Sequence, residues 1–286
     1  MFTTRHWRFL ISSILLTVLL AACAQTSSPD QPTSVPPTVG PVSEVKPELG
    51  KYFPESQGAF VLYDLNHDRY LRYNPERCAA RFIPASTFKI MNSLIGLETG
   101  VIPDENHVIE WDGTQHAIRS WNQDHTLATA IQQSVVWYYQ ELARRVGEEK
   151  MQHYVEAADY GNKDISGQID TFWLEGALRI SADEQVAFLK RLYQGDLPFS
   201  SRSMNIVREI LVLEKTASYQ LSGKTGSAQR ITPHVGWFVG YLETEGNVYF
   251  FATNFQSTNP NGLANGEAAK KISLSILQEL GFLASE

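Results

Sequence analysis

The chain has 286 residues, of which 43% are apolar, 11% aromatic and 19% charged. This is an ordinary globular composition on a chain long enough to bury a sizeable core, which excludes a membrane-embedded or wholly disordered protein. The net charge of −7 comes without a Lys/Arg-rich run, so no nucleic acid is expected as partner, and a small-molecule ligand is the better expectation.

Residues 1–22 differ in character from the rest of the chain. Arg5 and Arg8 form a basic start, and Phe9 to Leu20 is an apolar run too short for an ordinary spanning helix, the pattern of a signal peptide. The run ends in Leu20-Ala21-Ala22-Cys23, which resembles the lipobox of bacterial lipoproteins. That resemblance implies lipidation at Cys23 and a protein secreted across the bacterial inner membrane, lipid-anchored on the periplasmic or cell-surface side. Cleavage after small residues without lipidation is the alternative. The sequence holds two cysteines, so a lipidated Cys23 leaves Cys78 a free thiol, with a Cys23–Cys78 disulfide as the competing arrangement. From Ala24 to about Leu49 the chain is rich in Ser, Thr and Pro and reads as an extended linker. Three parts are expected: a leader at 1–22, the anchor Cys with its linker at 23–50, and one folded domain at 51–286.

Within that domain, Gly58–Leu65 and Arg69–Asn74 alternate apolar and polar residues around Asn66-His67-Asp68, which predicts a β-hairpin. After Pro84, Ile90, Met91, Leu94, Ile95 and Leu97 recur at helical spacing and Gly100 supplies a stop, which predicts a helix from Ser86 to Thr99. Residues 101–215 contain helix-like stretches joined by Asp/Asn/Gly-rich loops, with little strand pattern. Beyond them, strands are expected around Lys224-Thr225-Gly226, over His234–Thr244 and over Asn247–Phe255, followed by a closing helix from Gly266. The predicted fold class is α+β: an antiparallel sheet built from N- and C-terminal segments, flanked by terminal helices, beside a mainly helical lobe.

Three short motifs carry chemistry. In Ser86-Thr87-Phe88-Lys89 one helical turn puts residues i and i+3 on the same face, so Lys89 can reach the Ser86 hydroxyl. A serine is a weak nucleophile until a neighbouring base takes its proton, and a helix start adds unpaired N–H donors for an oxyanion. Ser134-Val135-Val136 can turn Ser134 and Val136 into one pocket only where the chain is not yet helical. Lys224-Thr225-Gly226 on a strand offers a cation and a hydroxyl beside a Gly that permits close approach to the backbone, a cradle for a carboxylate. Taken singly, each also reads as ordinary structure: a capped helix with a surface Lys, an N-capping Ser before core valines, and a turn with a solvated Lys. Tyr160-Gly161-Asn162 is a turn tripeptide, and Trp173 a core aromatic, on the same terms. The seven histidines form no HxH pair and no HExxH helix, so no metal site is expected.

The order SxxK, Ser-containing triplet, KTG marks penicillin-recognising serine acyl-transferases. The details, PASTFKI, SVVWYYQELARR, YGN, FWLEG, GKTG and GWFVG, resemble the class D (oxacillinase-type) serine β-lactamases over roughly Gly58 to Phe255. The resemblance implies a β-lactamase/transpeptidase-like fold in which Ser86 is acylated by β-lactams and Lys89 is the general base, carried as N6-carboxylysine. CO2 or bicarbonate is then required to carbamylate Lys89, and no other cofactor is implied. Ser134 would relay a proton to the leaving nitrogen, and Val136 and Trp173 would support the carbamate. Lys224, Thr225 and Gly226 would bind the substrate carboxylate, the backbone N–H groups of Ser86 and Ser227 would form the oxyanion hole, and Tyr160 and Asn162 would support the site. Hydrolysis of the drug, and with it antibiotic resistance, is the implied outcome.

One departure concerns the last helix, where many members of the family place an Arg near the KTG lysine; here that position falls on Ala269, with Lys270 and Lys271 beside it. Two other functions share these motifs: a penicillin-binding sensor domain that stays acylated, and a cell-wall carboxypeptidase, whose middle motif usually ends in Asn where this chain has Val136. Substrate range is expected to depend on the loops around Asn106–Asp124 and Ser227–His234.

Overall fold

The computed structural model describes residues 47–53, 57–257 and 264–283. The leader, Cys23 and the linker through residue 46 lie outside the described residues. A 3₁₀ turn, Pro47–Tyr52, overlaps the expected start of the domain and buries Leu49.

The main sheet contains β1 (Gln57–Asp64), β2 (Arg69–Tyr73), β3 (Val212–Lys215), β4 (Tyr219–Ala228), β5 (His234–Thr244) and β6 (Asn247–Ser257). All neighbours are antiparallel, in the spatial order β2-β1-β6-β5-β4-β3, so the first strands of the domain lie beside its last one. The α-helices are α1 (Pro75–Ala79), α2 (Lys89–Glu98), α3 (Leu127–Gln132), α4 (Val136–Val146), α5 (Glu148–Ala157), α6 (Ala182–Gln194), α7 (Ser201–Ile210) and α8 (Gly266–Glu279). Two short ladders accompany them, Arg81–Phe82 with Ile180–Ser181 and Val108–Ile109 with His125–Thr126. The α+β class expected from the sequence is what the chain adopts.

Strand β1 explains how the core divides. Successive side chains leave opposite faces of a strand. Accordingly Ala59, Val61 and Tyr63 join the larger apolar cluster under the helical lobe, while Phe60 and Leu62 join a smaller one with Ile276 and Leu277 of α8. Both faces are covered, so the strand is buried almost continuously from Gly58 to Tyr63 instead of alternating with solvent. Truncating Phe60 to Ala would remove a fully buried ring and cost about 3–5 kcal/mol.

Helix α2 runs through the centre of the lobe, and every residue from Lys89 to Leu97 is buried. A helix without a wet face must satisfy its polar groups internally. Ser93 donates from Oγ to Lys89 O at 2.7 Å and lies 2.9 Å from the Tyr139 hydroxyl, and Asn92 Nδ2 donates to Tyr139 O at 3.2 Å. These contacts pin α2 to α4. At the end of the lobe, Ser181 and Glu184 form a capping box that starts α6 where the chain leaves the Ile180–Ser181 ladder.

Candidate active site

Ser86 lies in a 3₁₀ turn, Ala85–Phe88, ahead of α2, where the sequence predicted one continuous helix from Ser86. The reason is local: Ala85 is held at φ 50°, in the left-handed region unfavourable to an L-residue. The strained turn is tied down from outside, because Ala85 N–H donates to Trp173 O at 3.0 Å. The next turn of chain delivers Lys89, whose Nζ lies 2.6 Å from Ser86 Oγ. The i and i+3 contact expected from SxxK is therefore made.

Ser134 ends the bend between α3 and α4, and its φ of 56° is again left-handed. That conformation lets its hydroxyl face the site while Val136, two residues on, opens α4 against the same cavity. Lys89 Nζ and Lys224 Nζ both donate to Ser134 Oγ, at 3.2 and 3.0 Å. Lys224, on β4, also donates to Thr225 O at 3.0 Å and lies 3.4 Å from Thr225 Oγ1. Four motif residues from three separated segments thus form one hydrogen-bonded chain: Ser86, Lys89, Ser134 and Lys224.

Burial sets the protonation of the two lysines. Lys89 is fully buried, and desolvation, followed by the nearby Lys224 charge, pushes its pKa well below the ordinary lysine range. Lys224 is lowered to about 7, chiefly by burial; Glu267 acts against the shift and Lys270 adds to it. A neutral Lys89 amine has a free lone pair to accept the Ser86 proton.

Gly226 also has a packing role. A Cβ there would sit 3.0 Å from Thr87 Cγ2, 3.1 Å from Pro84 O and 3.2 Å from Trp237 Cβ. The glycine lets β4 close on the nucleophile turn itself. Ser227 comes next at the cavity edge, and its Oγ accepts from Gly266 N at 2.8 Å, tying the strand to the start of α8.

Trp173 is fully buried and stacks on Phe88 with ring centroids 5.5 Å apart. Its Nε1 has no hydrogen-bond partner among the described residues. Tyr160 packs edge-on against Phe88 at 5.6 Å. Asn162 grips the chain beyond Trp173: its Nδ2 donates to Ala177 O at 3.0 Å and its Oδ1 accepts from Arg179 N at 2.8 Å. The YGN segment therefore braces both the nucleophile turn and the loop that carries Trp173. Gly161, at φ 58° and with Arg179 O where a Cβ would project, is required there.

A cavity of about 280 Å3 opens over Ser86, with Val136 and Ser227 among its lining residues. The sequence did not single out its other walls, Trp121, Trp137, Leu174, His116, Arg230, Gln140 and Gln229. His116 and Trp121 do fall within the Asn106–Asp124 loop and Arg230 within the Ser227–His234 loop, so loop position was the available signal. A larger groove of about 540 Å3 between α6, α7 and β3 contains none of the motif residues. Of the residues flanking the substituted Arg position, Ala269 is fully buried, Lys270 borders a small cavity beside Lys224 and Thr225, and Lys271 is exposed. Cys78 is a free, fully buried thiol whose pKa burial pushes up to about 12.

Residues 57–278 match the family described as the penicillin binding protein transpeptidase domain. Over 217 residues the chain is 46% identical to β-lactamase OXA-48 of Klebsiella pneumoniae, covering 76% of this chain and 82% of that protein. It is also 40% identical over 231 residues to the regulatory protein BlaR1 of Bacillus licheniformis, a match spanning 80% of this chain but 38% of BlaR1. Among solved structures, the class D β-lactamase YbXI from Nostoc superposes with a TM-score of 0.79 at 43% identity, over 84% of this chain and 100% of that one. With an SxxK serine joined through Ser134 to the lysine of KTG, and with relatives of this closeness over most of its length, the chain belongs to the class D serine β-lactamases.

Proposed function

We propose that the protein hydrolyses β-lactam antibiotics through an acyl-enzyme at Ser86, with Lys89 carried as N6-carboxylysine, and so confers resistance. The observation that carries this reading is the unbroken contact from Ser86 through Lys89 and Ser134 to Lys224. Ser86 Oγ attacks the lactam carbonyl as its proton leaves toward the Lys89 side chain, and the N–H groups of Ser86 and Ser227 receive the developing oxyanion. Ser134, held between two lysines, delivers a proton to the leaving ring nitrogen. Lys224 and Thr225 hold the substrate carboxylate.

Two features of the pocket fit a carbamylated Lys89. A fully buried lysine with a depressed pKa supplies the neutral amine that CO2 requires, and Trp173 Nε1, without a partner among the described residues, is a buried donor in want of an acceptor. When CO2 is bound to Lys89 it supplies an anionic base, able to activate both Ser86 and, later, a water. The Phe88–Trp173 stack, which begins at the residue before Lys89, and Val136, on the cavity over Ser86, are the apolar groups this reading assigns to the carbamate.

The likeness to BlaR1 gives weight to a second reading, a sensor domain that is acylated and not released. Turnover of a chromogenic β-lactam by the domain from Pro47 onward, with and without bicarbonate, separates the two. Continuous turnover that rises with bicarbonate supports hydrolysis; a single stoichiometric burst with a stable Ser86 adduct would replace it with the sensor. We further propose that Cys23 is lipidated and holds the enzyme at the outer side of the inner membrane or at the cell surface. Cys23→Ala should then release the full chain into the soluble fraction, and unchanged membrane attachment would count against the anchor.

A further inference from the structure

The wall of the cavity above Ser86 has an uneven chemistry. Trp121, Trp137 and Leu174 give it broad apolar surface, His116 and Arg230 give it basic nitrogen, and no carboxylate among the described residues lines it. Arg230 Nη1 lies 3.3 Å from Glu175 Oε1 in a solvent-exposed pair. His116 is different. Its main chain is fixed by Asn122, which accepts from His116 N–H at 2.8 Å and donates to His116 O at 3.1 Å. Its ring stands edge-on to Trp121 with centroids 5.9 Å apart, and its Nε2 is shielded from solvent with no hydrogen-bond partner among the described residues. A shielded ring nitrogen without a partner is unfavourable, and such groups are found where a ligand completes the bond. His116 as a whole is half-buried, and the broad torsional freedom of an imidazole lets a modest ring rotation turn Nε2 to the cavity.

We infer that His116 is a specificity-determining residue of this cavity, hydrogen-bonding through Nε2 to an acidic substituent on an aromatic acyl side chain of the β-lactam. The inference rests on the proposed β-lactam chemistry at Ser86 and adds the class of substrate that the chain prefers. The aromatic ring of the side chain packs on Trp121, Trp137 and Leu174, and its carboxylate meets His116.

Benzylpenicillin and α-carboxybenzylpenicillin differ by that one carboxylate and are the probes. In His116→Ala, kcat/KM for the carboxybenzyl compound should fall relative to that for benzylpenicillin by about tenfold, mainly through KM, the scale of one hydrogen bond to a charged group. His116→Gln, which keeps a donor, should restore part of that ratio. Should the protein acylate without turnover, the concentration giving half the maximal rate of Ser86 acylation, followed by intact mass, replaces KM in the same ratio. The inference therefore stands or falls separately from hydrolysis. An unchanged ratio between the two compounds in both variants would overturn it.

Discussion

Lys89 and Lys224 lie on either side of a single hydroxyl, each donating to Ser134 Oγ, at 3.2 and 3.0 Å. One oxygen has two lone pairs, so two donors saturate it and leave the Ser134 proton free to point away. Two buried ammonium groups this close oppose each other, and burial and mutual repulsion together favour losing a proton from the pair.

Stability should therefore rise with pH across the neutral to alkaline range. Lys224 titrates near 7 in the native protein against an ordinary value of 10.5, so between these values the unfolded chain binds a proton that the native chain does not. The native state accordingly gains as pH rises, at up to about 1.4 kcal/mol per pH unit for one proton, and the gain is absent below about pH 7. Lys89 acts in the same direction as long as it is a free amine, so the profile belongs to the uncarbamylated protein in bicarbonate-depleted buffer. Urea unfolding midpoints at pH 7, 8 and 9 should climb in the wild type and climb less in Lys224→Met. A wild-type profile as flat as that of the variant would contradict the buried, depressed lysine.

Trp173→Phe keeps a ring to stack on Phe88 and deletes only the Nε1 donor. If that donor serves a carbamate on Lys89, kcat without bicarbonate should drop roughly 10- to 100-fold, the range of a lost hydrogen bond to a charge, and should recover with added bicarbonate. Labelling with ¹³C-bicarbonate should give a carbamate resonance in the wild type that is absent in Lys89→Ala. An active wild type with neither the resonance nor a bicarbonate response would make neutral Lys89 the base.

Gly226→Ala tests how tightly β4 is closed on the nucleophile turn. The added methyl meets the Pro84 carbonyl oxygen at 3.1 Å as well as Thr87 Cγ2 at 3.0 Å, and a main-chain oxygen gives way less readily than a side chain. Overpacking of this kind costs about 1–3 kcal/mol. The acylation rate should fall together with a lowered melting temperature. Normal acylation would show that the turn can shift without penalty.

Substrate-carboxylate binding should rank the three lysines. Lys224→Ala should raise KM most; Lys270→Ala, beside the Lys224–Thr225 cavity, should have a smaller effect; exposed Lys271→Ala should have the least. Steady-state KM with one penicillin measures all three. Equal, small changes would mean the carboxylate is held elsewhere.

Much of the site was legible because its chemistry is written in short spacings. SxxK needs only one turn of chain to bring Lys89 to Ser86, and the strands around Lys224 and over His234–Thr244 carry strong apolar patterns. What could not be read depended on tertiary contact. Strand β3 is mostly exposed, with Leu213, Glu214 and Lys215 facing solvent, so it had no apolar alternation to betray it. The left-handed Ala85 and Ser134 are residue types that do not advertise positive φ, and they hold because Trp173, Lys89 and Lys224 fix their surroundings. The packing role of Gly226 required knowing that Pro84 lies against β4. His116 and Trp121 were hidden in a loop with no periodicity at all.

The buried course of α2 has a consequence for how such an enzyme diversifies. Lys89 is seated on a helix buried on every face and Ser86 on the buried turn ahead of it, where substitutions are costly to folding. The residues that greet the substrate first, His116 and Arg230, stand on surface loops outside both apolar clusters. Replacing them leaves the packed interior intact, so a lineage carrying this fold can exchange one set of drugs for another through loop changes alone, with little loss of thermodynamic stability at each step.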